Sequence, residues 1–271
     1  MNDTHRRQLL DAIGIGPTWV RRALPAVMVD GGASAASVAD PVALMPIETA
    51  DTADTALAVD ANPPAMGAPV RMETATALSP ATNMDWAQLQ AAIAACRLCG
   101  LCEGRTHTVP GVGDAKARWL FIGEGPGQSE DLQGEPFVGP AGKLLDNMLA
   151  AIGLRRGDNV YITNVVKCHP TDESGHDRAP SAAEIAACLP YLQRQIALIQ
   201  PTMMVALGKT AALSLLGLPP STTVAALRGT VHRYGELPLI VTYHPAYLLR
   251  QPSDKAKAWA DLCLATATYA A

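Results

Sequence analysis

Aromatic residues are scarce in this chain: they make up 4% of its 271 residues, and only two are phenylalanine. No run of about 18 or more apolar residues occurs, so no membrane span is expected. The first residues, Met1-Asn2-Asp3-Thr4-His5-Arg6-Arg7, lack the apolar stretch of a secretory signal. There is also no concentrated basic stripe, and the net charge is −4. That balance is uneven along the chain: residues 1–85 carry 5 Lys/Arg against 10 Asp/Glu, and residues 86–271 carry 16 against 15. The acidity thus belongs to the N-terminal segment, and the near-neutral remainder permits nucleic-acid binding without requiring it. Six unevenly spaced cysteines do not make a disulfide scaffold. They fit a reducing compartment and thiolate-bound metal, and the expected location is cytoplasmic.

Three regions follow from composition. Residues 1–25 contain a helix-like stretch with Leu9, Leu10, Ile13, Trp19 and Val20 as its apolar positions, a docking segment for a protein partner or a frayed end. Residues 26–85 are rich in Ala, Pro, Thr and Asp and read as a disordered linker, because such a stretch buries too little apolar surface to offset chain entropy. From residue 86 strand-like runs at 119–124, 159–166, 202–208 and 238–243 alternate with helix-like segments at 140–152, 181–199, 209–216 and 254–269. Ser181 and Glu184 form a capping-box pattern at one helix start, and Pro201 ends that helix. The fold expected for residues 86–271 is an α/β, three-layer α/β/α sandwich around a mostly parallel four-stranded sheet.

Cys96-x-x-Cys99-x-x-Cys102 is a thiolate-rich run, and Cys168 and Cys188 flank a loop rich in Pro, Asp and Gly. Four thiolates hold either an iron–sulfur cluster or a structural zinc, and spacing decides neither the metal nor whether Cys102 or Cys188 is the fourth ligand. The competing reading makes Cys168 and Cys188 small buried hydrophobes. Cys263 falls on an amphipathic C-terminal helix and reads as core.

Two separated motifs each follow a strand-like run. The first is Gly123-Glu124-Gly125-Pro126-Gly127, continued by Glu130-Asp131 and Pro136-Phe137-Val138-Gly139; the second is His244-Pro245-Ala246-Tyr247-Leu248-Leu249-Arg250. In an open α/β sheet ligands bind beyond the carboxyl ends of the strands, so both motifs are expected to rim one crevice. A tight turn at Gly123 brings backbone N–H groups near a ligand, and a carboxylate such as Glu124 positions a water or balances a developing cation. Phe137, set in a polar loop, offers a stacking platform for a planar ligand; the alternative is a core anchor. Asn164 ends a strand and carries the donor and acceptor that suit a nucleobase edge. His244 is suited to donate to an oxygen that gains charge. Tyr247-Leu248-Leu249 followed by Arg250 suits a wedge entering a base stack while the arginine meets phosphate.

With these residues in view, residues 90–265 resemble the family 4 uracil-DNA glycosylases, the iron–sulfur branch of the uracil-DNA glycosylase superfamily. The likeness rests on Cys-x-x-Cys followed by Arg105-Thr106, Gly-Glu-Gly-Pro-Gly with Glu130-Asp131, Pro-Phe-Val-Gly-Pro-Ala-Gly-Lys-Leu-Leu, Asn164-Val165-Val166-Lys167-Cys168 and His-Pro-Ala-Tyr-Leu-Leu-Arg. It implies a [4Fe–4S] cluster on Cys96, Cys99, Cys168 and Cys188, with Cys102 a bystander. It also implies action on uracil-containing DNA; because flipping the base out costs only a few kcal/mol, both single and double strands are expected substrates, and the protein is expected to be a monomer. Phe137 would stack on the extruded uracil, Asn164 would read its edge, and Glu130 would crowd the position of the thymine methyl. His244 would stabilise the departing uracil anion, and Glu124 would place the water or steady the sugar cation. His169-Pro170 departs from the family's Arg-Pro. Gly125 and the short acidic loop 171–180 separate the chain from a branch that traps DNA covalently through a loop histidine, so His176 reads as an ordinary loop residue. The alternatives are a non-catalytic binding module acting through the N-terminal helix, and a zinc-stabilised nucleotide-binding enzyme.

Overall fold

The computed structural model of the protein describes residues 80–270. The expected N-terminal helix and most of the linker lie outside the described residues. The last few linker residues do not: Pro80–Asn83 form a 3-10 turn, Ala81 is buried, and Arg194 Nε donates to the Met84 carbonyl at 2.6 Å. The folded part therefore reaches back past residue 86.

Helix α1 (Trp86–Ala94) opens on a capping box between Asp85 and Gln88, and a short α2 (Leu101–Gly104) follows the first cysteines. Then come β1 (Val112–Gly113), β2 (Trp119–Gly123), α3 (Gln128–Gln133), α4 (Pro140–Ala151) and β3 (Val160–Asn164). The second half comprises α5 (Ala182–Ile199), β4 (Met203–Leu207), α6 (Lys209–Leu216), α7 (Val224–Leu227), β5 (Val231–Tyr234), β6 (Leu237–Thr242), α8 (Pro245–Arg250) and α9 (Lys255–Ala270). The Ser181–Glu184 capping box is present, and Gln200 in the left-handed region, just before Pro201, closes α5. No helix among the described residues is long and apolar enough to cross a membrane.

The sheet has the order β1-β3-β2-β4-β6-β5. Its four central strands are the four expected ones, all parallel; β1 and β5 add antiparallel edges. Strands β2, β3 and β4 are buried at every position, as a sheet covered on both faces requires. Alternate residues feed the two cores. Leu120, Ile122, Tyr161, Met204 and Val241 face α1, α5 and α6, whereas Phe121, Ile162, Val205 and Ile240 face α4 and α9. The chain runs from β2 outward to β3, then crosses back to β4 on the other side of β2. That reversal opens a crevice beyond the carboxyl ends of β2 and β4, where open α/β sheets take their ligands.

One expectation about the core fails. Cys263 is exposed, because α9 buries Ala258, Asp261, Leu262 and Ala265 and turns position 263 outward.

Candidate active site

A cavity of about 380 Å³ lies beyond the carboxyl ends of β2, β3 and β6, lined by Glu124, Gly125, Glu130, Phe137, Asn164, His169, Asp177 and His244 among others. The two separated motifs do meet there.

The floor is made where β2 and β3 end side by side, with Gly123 in register with Asn164. A Cβ at Gly123 would collide with the Asn164 carboxamide oxygen and stand 2.6 Å from the Phe137 ring. Only glycine lets these two groups close on the strand end. Asn164 is 1% exposed, and its Oδ1 is a buried side-chain oxygen without a hydrogen-bond partner. An orphaned acceptor of this kind is costly unless a ligand supplies the donor.

Phe137 sits at φ 57°, a left-handed conformation that costs a non-glycine residue about 1–2 kcal/mol. Its loop is fastened from several sides. Arg156 donates to the Pro136 carbonyl at 2.8 Å and to the Phe137 carbonyl at 2.7 Å. In α4, Gly142 approaches the Phe137 carbonyl so closely that any side chain there would strike it. The Phe137 ring joins the buried cluster beneath the sheet and stands 5.5 Å from the His244 ring, with 29° between their planes. Core anchor and pocket wall are thus one residue.

Glu130 accepts from the Val138 and Gly139 N–H groups at 2.9 and 3.0 Å with one oxygen, and from Gly127 N–H at 3.1 Å with the other. It ties the glycine-rich turn to the Phe137 loop, a role that spacing in the sequence does not reveal. Its neighbour Asp131 is buried and accepts from the backbone of Thr106 and His107. Glu124 accepts a hydrogen bond from the Thr210 hydroxyl at the start of α6. Thr210 and Arg156 went unnoticed in the sequence because each acts on a residue far along the chain.

His244 caps α8, and its Nδ1 accepts from Ala246 N–H at 3.2 Å. The proton of the neutral ring is therefore on Nε2, leaving that nitrogen as donor. Burial, helped by the positive charge of Arg250, lowers its pKa to about 4, so the ring is neutral near pH 7.

The wedge expected from Tyr247 and Leu248 needs correction. Leu248 is 1% exposed and packs into the core with Leu144, Met148 and Leu262. One turn of helix orients it inward, and Leu249, 43% exposed, is the leucine that faces out. Tyr247 stacks on Tyr243 with centroids 4.9 Å apart and donates to Asp254 at 2.6 Å. Arg250 lines a second cavity with Lys209, adjoining the first through Glu124 and His244. His169 bonds to Asp177 at 2.7 Å on the cavity rim, and His176 is exposed beside Asp172.

Behind the crevice Cys96, Cys99, Cys102, Cys168 and Cys188 all line one apolar recess with Ile93, Leu98, Leu101 and Val166. Arg105 donates to Cys168 Sγ at 3.2 Å, and Lys167 N–H donates to Cys188 Sγ at 3.3 Å. Desolvation pushes the Cys188 thiol up to about 11 and raises Cys99 and Cys168 as well. Among the described residues no group of three or more histidine, cysteine, aspartate or glutamate side chains is arranged to hold a metal ion.

An aromatic wall, a buried carboxamide and a neutral histidine beyond the ends of central parallel strands mark an α/β/α protein with a pocket at its strand ends. Residues 110–264 match the family model of the uracil DNA glycosylase superfamily. The type-4 uracil-DNA glycosylase of Archaeoglobus fulgidus is 48% identical over 166 residues, covering 59% of this chain and 81% of that protein. The type-4 enzyme of Pyrobaculum aerophilum is 40% identical over 187 residues, 67% of this chain and 93% of that protein. That of Sulfurisphaera tokodaii is 46% identical over 169 residues, 59% and 74% respectively. The chain belongs to the uracil-DNA glycosylase superfamily, in its type-4 branch.

Proposed function

We propose that this protein, acting as a cytoplasmic monomer, removes uracil from DNA by hydrolysing the bond between the base and deoxyribose. The observation that carries this reading is the partnerless Asn164 oxygen, buried in a cavity walled by Phe137 and His244. Uracil presents an N3–H donor beside the O4 acceptor, and a carboxamide answers both at once; cytosine, with no proton at N3 and an amine at C4, mismatches both. The base is inaccessible in a duplex and is flipped out, at a cost of a few kcal/mol that is least in single strands and mismatches. Phe137 then stacks on its face.

As the bond to C1′ breaks, the electron pair moves into the uracil ring and charge collects on O2. The Nε2–H of His244 stabilises that anion without itself titrating. Water adds to C1′, and Glu124, held by Thr210, orients it and offsets the positive charge on the sugar. The proton that the added water gives up passes through solvent to the uracil anion, leaving free uracil and an abasic site. Lys209 and Arg250, in the adjoining cavity, suit the flanking phosphates.

The same reading places a [4Fe–4S] cluster on Cys96, Cys99, Cys168 and Cys188. The likeness to the type-4 enzymes, with these cysteines lining one apolar recess and Arg105 donating to Cys168 Sγ, supports the cluster reading. Cys96 and Cys99 after α1, Cys168 after β3 and Cys188 in α5 would hold the cluster, which would tie these segments together and favour the thiolate forms that burial disfavours.

The test is to incubate the protein with a single-stranded oligonucleotide bearing one uracil, then treat with alkali and run a gel. Cleavage at uracil and none at a thymine control is expected; an intact strand from protein with its full visible absorbance would overturn the reading.

Glu130→Ala is expected to relax discrimination against thymine, if its carboxylate crowds the methyl position. Because three backbone donors lose their acceptor, uracil excision should also slow, roughly tenfold or more, through displacement of Phe137. Single-turnover rates on uracil and thymine substrates measure both effects, and unaltered discrimination removes the steric role.

A further inference from the structure

Lys167 is among the largest fully buried side chains of the protein, yet it takes no part in the chemistry above. Its Nζ lies 2.8 Å from Thr163 Oγ1, 2.6 Å from the Asn164 carbonyl and 2.7 Å from Gln195 Oε1. Three acceptors at these distances use the three donors of an ammonium, and all three are neutral oxygens. Thr163 and Gln195 in turn donate to the Pro110 carbonyl at 2.8 and 2.7 Å, so the network is closed.

The Asn164 carbonyl is the informative partner. It belongs to the same peptide unit as the Val165 N–H, which donates to the Gly123 carbonyl at 2.9 Å. That unit is therefore held at both ends, by β2 on one side and by the lysine on the other. Fixing its plane fixes ψ of Asn164 and hence the direction of the Cα–Cβ bond that carries the carboxamide.

We propose that Lys167 is a positioning residue for base recognition: its ammonium locks the peptide unit after Asn164 and so aims the carboxamide into the pocket. This rests on the reading of Asn164 as the group that reads the base. A buried cation with neutral partners is an expensive device for stability alone, since apolar packing fills the same space more favourably. Its place, among the described residues, behind the strand end where a buried side-chain acceptor stands without a partner has its explanation in that aim.

The test uses Lys167→Met in the full, cluster-bearing protein, with three readouts: single-turnover excision at saturating protein, affinity for the same oligonucleotide carrying an abasic site, and visible absorbance per chain. Abasic DNA has no base for Asn164 to read. Excision should fall roughly tenfold or more, while abasic-site affinity stays within about twofold and absorbance is unchanged. A wild-type rate, or a parallel fall of all three readouts, overturns the proposal. If that variant does not fold, Thr163→Val decides the matter: excision about threefold slower with unaltered abasic affinity supports the role, and an unchanged rate overturns it. Asn164→Asp is run beside them. Wild-type excision by that variant overturns the base-reading assignment and the lysine's role with it. Its loss, with normal excision by Lys167→Met, overturns the lysine's role alone.

Discussion

Replacing Asn164 by aspartate is expected to slow uracil excision by roughly a hundredfold or more, equivalent to about 2.7 kcal/mol of transition-state stabilisation. The substitution keeps the size and the shape of the side chain, so the pocket retains its walls. What changes is the hydrogen-bond pattern. A carboxylate can still accept from N3–H of the base, but it sets a second acceptor against O4, where the amide had a donor. The position is 1% exposed, and solvent does not relieve the conflict. A buried polar mismatch of this kind is where hydrogen-bonding sites discriminate most strongly. Single-turnover excision from a single-stranded uracil substrate measures it, with abasic-site affinity as the control for folding. A rate within a few-fold of the wild type would take Asn164 out of the recognition step.

Loss of the His244 imidazole should have an effect of similar or greater size. A donor aimed at developing charge in a water-poor site is worth about 10²–10³ in rate, and His244→Ala is expected to lose that much. The pH dependence follows from the protonation state. Its folded-state pKa is near 4, depressed mainly by desolvation and then by Arg250, so the ring donates from neutral Nε2–H across the whole range above about pH 5. No fall in rate between pH 8 and about 5.5 should therefore trace to this histidine; a loss centred near its ordinary value of about 6.5 would contradict the assignment. The same depression sets a sign for stability. As pH falls below about 6.5 the unfolded chain binds a proton that the folded chain refuses. The contribution of this residue is complete above that value and is lost progressively as pH falls toward about 4, so the alanine variant should show a flatter stability profile there by denaturant titration.

The corrections share a cause. Leu248 and Leu249 are adjacent apolar residues, and nothing local distinguishes wedge from core. The turn of α8 against α4 makes the choice, burying Leu248 and leaving Leu249 outside. The phase of α9 likewise turns Cys263 outward. Strands β1 and β5 escaped notice because one is two residues long and the other only half-buried, and their pairing partners supply what their own composition lacks. Glu130 could be picked out as a pocket residue. Its grip on Gly127, Val138 and Gly139 became visible only once both loops stood in place.

By itself the sequence determined the alternation of strands and helices from residue 119 onward, the four parallel strands and the presence of Gly123, Glu124, Phe137, Asn164 and His244 on one side of the sheet. These are local matters: buried strands declare themselves as continuous apolar runs, and the ends of parallel strands in this fold lie along one edge. Spacing also supplied the five cysteines of the recess without choosing between Cys102 and Cys188. Tertiary structure alone decided which side chain holds which: Thr210 on Glu124, Arg156 beneath Phe137, Lys167 behind Asn164 and Arg105 on Cys168. Most of these pairs join distant segments, and even Lys167, three residues from Asn164, takes its place through Gln195 on another element. Hydrogen bonds act over about 3 Å whatever the separation along the chain, so their partners exist only after the layers have packed.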